Sequence, residues 1–175
     1  RCDSLRRMRR PYPKARACWM PCAAIATTIA EAARMRFWDA SAVVPLIVDE
    51  PRRAALLQLI EEDGDLLVWW GTPVEVASAL ARRERERELT ADIASAAFDA
   101  LHEISASWHE VVPSDAVRRT AARLLRSHAL RAADSLQLAA ALVAADHDAR
   151  TLSFVCLDER LAVGARREGF TVIAV

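Results

Sequence analysis

The chain has 175 residues, 53% of them hydrophobic and 27% charged, which suits one globular domain built on a single core. Its 24 basic and 24 acidic side chains cancel, yet eight basic and two acidic ones fall in residues 1–34, leaving 16 against 22 in residues 35–175. That net −6 excludes a body that draws phosphate by its own charge, so anion binding there needs a local cation, such as a metal ion.

Residues 1–34 open with the basic run Arg6-Arg7-Met8-Arg9-Arg10, followed by an Ala- and Thr-rich stretch and Ala30-Glu31-Ala32. The pattern imitates a secretory signal with its cleavage site, but the apolar run holds Pro21 and contains no Leu or Val. Met35 stands directly before the first strand pattern. Residues 1–34 are therefore read as upstream or disordered sequence and residues 35–175 as the domain. Three of the four cysteines (Cys2, Cys18, Cys22) lie in the leader, and the Cys18/Cys22 pair lacks two further ligands for zinc. Cys156 alone lies in the body, which fits a reducing, cytoplasmic compartment. No apolar run reaches the roughly 18–20 residues that span a bilayer, so no membrane partner is expected.

From Met35 onward, short strands alternate with helices. Arg36-Phe37-Trp38-Asp39 reads as a strand leading into a small-residue helix start, and residues 51–63 as a helix with Pro51 in its first turn. Leu66-Leu67-Val68-Trp69-Trp70 is an apolar strand of the buried parallel type, with both tryptophans assigned to the core. Thr72-Pro73-Val74-Glu75 fits a capping box opening a helix that runs into Arg82–Glu88, where Arg82 and Glu86 are spaced to pair. Thr90 and Ser114 open further helices, with a strand at residues 110–112 between them. Residues 131–145 form another helix, and Ser153-Phe154-Val155-Cys156 a strand before Asp158. A helix over residues 161–168 is capped by Gly169, and residues 171–175 close the chain as a strand. Strands joined by helices predict an α/β fold of three layers, helices on both faces of a mainly parallel sheet of about five strands.

In such sheets, ligands bind beyond the C-terminal strand ends, where strand order reverses. Asp39 and Asp158 fall at strand ends, although either could simply cap a helix. Asp134 lies early in an alanine-rich helix, where the helix dipole alone would stabilise it. Glu75 could merely return to the Thr72 backbone in the capping box.

Taken together, the order strand-Asp, helix-Glu, helix-Asp, strand-Asp resembles the PIN-domain nucleases, especially toxins of the VapC type. The strings that carry it are Phe37-Trp38-Asp39-Ala40-Ser41-Ala42, Thr72-Pro73-Val74-Glu75-Val76, Ala133-Asp134-Ser135-Leu136-Gln137-Leu138 and Phe154-Val155-Cys156-Leu157-Asp158-Glu159-Arg160-Leu161. The resemblance implies that Asp39, Glu75, Asp134 and Asp158 are catalytic, metal-holding acids, with Ser41 as a supporting hydroxyl. It further implies Mg²⁺ (or Mn²⁺) as cofactor, RNA as substrate, an antitoxin partner that blocks the site, and a homodimer. Many relatives carry Thr or Ser where this chain has Cys156, so a hydroxyl hydrogen bond gives way to a weak thiol donor. Two rivals are a PIN-like domain that binds RNA or a partner without cutting, and a phosphohydrolase with Asp39 as nucleophile. The second usually wants an Asp where Ser41 stands. Arg52, Arg53, the Arg82–Arg87 run, Arg118, Arg119, Arg123 and Arg126 are candidates for backbone contacts, and Trp69 or Trp70 for stacking on a base, although the mixed Arg/Glu run reads better as a solvated, self-paired helix face.

If translation starts at Met35, intact-mass spectrometry of the native protein finds a chain beginning at Met35 or Arg36. A mass that includes residues 1–34 overturns that reading.

Overall fold

Phe37 and Trp38 are consecutive residues of one strand, both fully buried, and they pack into two different cores. That is the two-residue period of a strand covered on both faces. The computed structural model describes residues 35–63 and 65–175. The leader, with its three cysteines, and Gly64 lie outside the described residues.

The elements run β1 (Arg36–Trp38), α1 (Ala40–Ile47), α2 (Arg53–Asp63), β2 (Leu66–Trp69), α3 (Thr72–Arg85), α4 (Ala91–Ser105) and β3 (His109–Val111). There follow α5 (Asp115–Ser127), α6 (Ala132–Ala144), a short 3₁₀ turn (Ala149–Thr151), β4 (Ser153–Val155), α7 (Glu159–Arg167) and β5 (Thr171–Ile173). All five strands are parallel, in the order β3-β2-β1-β4-β5. The predicted α/β architecture with helices on both sheet faces is what the chain adopts. Among the described residues, no helix is long and apolar enough to cross a membrane.

On one face, Phe37, Trp69 and Phe154 meet α5, α6 and α7. Phe37 stacks on Phe154 with ring centroids 5.3 Å apart, and Phe154 leans on Phe170 at 5.6 Å. The alanines at 139–141 let α6 approach the sheet closely, and all three are fully buried. On the other face, Trp38, Leu66, Val68 and Val155 meet α1 to α4.

Several boundaries differ from expectation. Pro51 and Arg52 form a turn ahead of α2 rather than its first residues, and β3 begins one residue early, at His109. Helix α3 stops at Arg85, with Arg87 at φ 62°, so the Arg82/Glu86 spacing never becomes a helical pair. Arg83 instead forms an ion pair with Glu50. Trp70 is not a core residue. Strand β2 ends at Trp69, so Trp70 leaves the sheet and is 53% exposed, its ring edge-on to Trp69 at 6.4 Å.

Gly71 joins β2 to α3, and the Trp69 indole folds over it. A Cβ there would sit 2.6 Å from Trp69 Nε1 and 2.9 Å from Cδ1. Gly71→Ala should therefore displace the indole and destabilise the fold by about 1–3 kcal/mol. Thermal melts and tryptophan fluorescence read both effects. An unchanged Tm and spectrum would mean that the indole swings away freely.

Candidate functional site

The chain leaves β1 toward β2 and β3 on one side, then crosses back to lay β4 and β5 on the other. Strand order reverses between β1 and β4, and their C-terminal ends open a crevice between diverging connections. Asp39 follows β1 immediately, its N–H donating to Val155 O at 3.0 Å and extending the ladder by one residue. The Ser41 hydroxyl oxygen accepts from the N–H groups of Leu157 (2.9 Å) and Asp158 (3.2 Å). That hydroxyl staples the β4–α7 loop to the start of α1 and sets Asp158 against Asp39. The hydroxyl expected beside Asp39 thus holds the backbone of the facing loop, and it also hydrogen-bonds the Asp39 carboxyl.

Both strand-end acids also cap helices. Asp39 Oδ2 accepts from Ser41 N (2.9 Å) at the head of α1, and Asp158 Oδ1 accepts from Leu161 N (2.9 Å) at the head of α7. Asp134 Oδ2 accepts from Arg131 N (3.0 Å) in the first turn of α6. Capping and chemistry do not exclude each other, because each cap engages one oxygen of a carboxylate that has two.

Glu75 departs from expectation. Gly71, not Thr72, is the N-cap of α3, so Glu75 lies one residue too deep to return to the cap. The Thr72 hydroxyl instead accepts from Gln137 Nε2 at 3.3 Å, and both residues are wholly buried. Gln137 sits one turn beyond Asp134 on α6 and also faces the Glu75 carboxylate. Sequence reading passed over it. The available signal was a lone amide in a run of Leu and Ala, three residues after an acid and so on the same helix face.

The four acids are linked electrostatically in a chain, Asp158 acting on Asp39, and Asp39 and Asp134 on Glu75. Burial pushes the Asp39 carboxyl above its ordinary range; hydrogen bonds from Ser41 oppose the shift, and the Asp158 charge adds to it. Burial likewise raises Glu75 to about 7; Gln137 pulls the value back, while Asp39 and Asp134 push it up. Among the described residues no basic side chain forms an ion pair with Asp39 or Glu75, whereas Arg160 lies beside Asp134 and Asp158. Cys156 is buried at the centre, its Sγ 3.7 Å from Asp39 Oδ2 and 3.3 Å from Asp158 O. The thiol thus fills the hydroxyl's place with weak donor contacts. Burial first, then the Asp39 charge, hold it protonated.

An all-oxygen, acid-only donor set suits a hard divalent cation, and a buried and a half-buried carboxylate with no basic partner suit one better still. As the side chains stand, no three His, Cys, Asp or Glu residues among those described converge as a ligand set. Three of the acids turn an oxygen to a helix cap, and two lean toward Arg160.

Two of the other candidates for substrate contact are held in ion pairs. Arg118 joins Asp115, and Arg123 joins Glu168, which also holds His128 at 2.7 Å.

Because Glu75 ionises near 7 in the fold against an ordinary 4.5, the folded protein keeps a proton that the unfolded chain has lost in that window. Its contribution to stability is full below about 4.5 and declines as pH rises through about 7. Glu75→Gln should raise the metal-free Tm at pH 8 by a few degrees, at roughly 2–4 °C per kcal/mol, and change it little at pH 4.5. Gln137→Leu should move the Glu75 midpoint further up, as read by carboxyl ¹³C NMR. A Glu75 midpoint near 4.5 in the unaltered protein would contradict both.

A search of curated proteins returns no match. A family model described as the PIN domain matches residues 36–166, from the first residue of β1 to the penultimate residue of α7, and takes in all four acids. The chain belongs to the PIN-domain family, whose members are typically nucleases.

Proposed function

We propose that this protein is a divalent-metal-dependent ribonuclease that hydrolyses RNA phosphodiester bonds. Its resemblance to VapC-type proteins supports a place as the toxin of a type II toxin–antitoxin pair. On that reading it works in the cytoplasm as a homodimer and is held silent by a small antitoxin. The observation that carries the nuclease reading is the grouping of Asp39, Glu75, Asp134 and Asp158 near the reversal of strand order, with buried Asp39 and half-buried Glu75 in no ion pair among the described residues.

Asp39 and Asp158 would hold Mg²⁺ or Mn²⁺ directly, Asp134 directly or through water, and Glu75 would orient a water or a second ion. When bound, such an ion supplies a polarised water and positive charge at the phosphate. The chain's own contribution is placement. The Ser41 staple fixes the separation of Asp39 and Asp158. Gln137 sets Glu75 relative to Asp134, since it shares a helix with one and faces the other. The two cores beneath the crevice keep water from Asp39 except at its open side.

The purified full chain should cut single-stranded RNA with Mg²⁺ or Mn²⁺ and fail to cut with EDTA. Asp39→Asn should lower the rate by more than about 100-fold, since even outer-shell partners of a metal site cost 10–100-fold. Asn still caps α1, so the variant should fold. Equal cutting by the variant would sink the site assignment, and cutting in EDTA would sink the metal requirement.

A further inference from the structure

Arg160 is the one basic side chain, among the described residues, in ion-pair range of the four acids. Its Nε lies 3.5 Å from Asp134 Oδ2 and its Nη2 lies 3.9 Å from Asp158 Oδ2. A single guanidinium therefore spans two acids carried by different elements, α6 and the β4–α7 loop. Neither contact is a hydrogen bond, and the side chain is 42% exposed. Arg123 shows the contrast: its two hydrogen bonds to Glu168, at 3.2 and 2.7 Å, lock the fork in place. Arg160 is held by charge alone, across half-solvated gaps.

A divalent ion on Asp134 and Asp158 would put its charge where this guanidinium now sits, and two cations repel at that range. A guanidinium cannot relieve the clash by losing its proton, so it must move. Its stem is rooted in the first turn of α7, beside the crevice, and the nearest anion there would be the phosphate of a bound strand. The body of the protein is acidic overall, so a fork released at this point supplies positive charge where the substrate needs it.

We propose that Arg160 is a substrate-binding residue with two stations: counter-ion to Asp134 and Asp158 in the metal-free protein, and two-pronged clamp on the RNA phosphate once metal occupies the acids. The proposal rests on the metal-nuclease reading above.

Arg160→Met keeps the stem and removes the charge, and Arg160→Lys keeps the charge and removes the fork. Mn²⁺ affinity is measured on the RNA-free full chain by calorimetry, and kcat/KM on a single-stranded RNA, with Tm as a check on folding. Arg160→Met should bind Mn²⁺ more tightly, by up to roughly 5-fold, because a competing cation is gone. It should cut RNA at least about 10-fold less efficiently, because a charged hydrogen-bond donor to phosphate is gone. Arg160→Lys should keep the Mn²⁺ affinity of the unaltered protein and recover only part of kcat/KM. Opposite movement of the two readouts is what a merely structural arginine could not give. Unchanged or weaker Mn²⁺ binding in Arg160→Met, or unchanged kcat/KM, would overturn the proposal. If Asp158→Asn abolishes binding and cutting while Arg160→Met alters neither, Arg160 alone has been misread. If the unaltered protein binds no Mn²⁺, the metal reading and the two-station arginine fall together.

Discussion

Like charges crowded at one edge of a sheet repel, and everything around the crevice of this protein answers to that repulsion. Asp39 is almost fully buried beside Asp158, and Glu75 lies within reach of both Asp39 and Asp134. A fold left to minimise electrostatic energy would separate these groups or pair each with a base. Here the separation is prevented by backbone hydrogen bonds. The Ser41 hydroxyl ties the loop after β4 to the helix after β1, and Asp39, Asp134 and Asp158 each accept a backbone N–H at the start of their own helix. The repulsion then appears where it can, as raised proton affinity in the two most enclosed carboxylates.

The same constraint explains the lopsided chemistry of the site. A protonated carboxyl at neutral pH is a poor metal ligand but an inexpensive tenant of a buried crevice. Arrival of a divalent ion would exchange protons for metal, so metal binding should release protons most strongly where Glu75 still holds one, below about 7. Gln137 is suited to this exchange. Its amide lies between the Thr72 hydroxyl and Glu75, and its own Oε1 is buried without a partner. An unsatisfied buried amide oxygen is unusual in a well-packed interior, and it lies beside the one acid whose protonation is most finely poised.

The scaffold is built so that these tensions do not propagate. Two separate cores flank the sheet, each supplied by alternate residues of the same short strands. Three- and four-residue strands would be marginal alone, but parallel pairing on both sides and burial on both faces hold them. The Phe37–Phe154 stack joins β1 to β4 directly beneath the switch point, so the two strand ends that present acids cannot part without opening that core.

Much of this was legible in the amino-acid order. The alternation of apolar strands with helices, the caps at Thr90 and Ser114, the glycine that ends α7, and the placement of Asp39 and Asp158 at strand ends all follow from local propensity and period, which neighbouring residues carry between them. What local order could not decide was any choice between two competing local partners. Thr72 and Glu75 have the spacing of a capping box, yet the helix starts at Gly71's cap because Thr72 is claimed by Gln137, 65 residues away. Trp69 and Trp70 look alike in sequence, but one enters the core and the other leaves the sheet, because β2 ends between them. Gln137 and Arg160 are ordinary helix residues until α6 and α7 bring them against acids from elsewhere. Residue types and their periods settled which elements exist and which end of each strand bears an acid. Only the crossing of the chain between β3 and β4 decided which acids meet, because electrostatic repulsion and burial act through space and not along the chain.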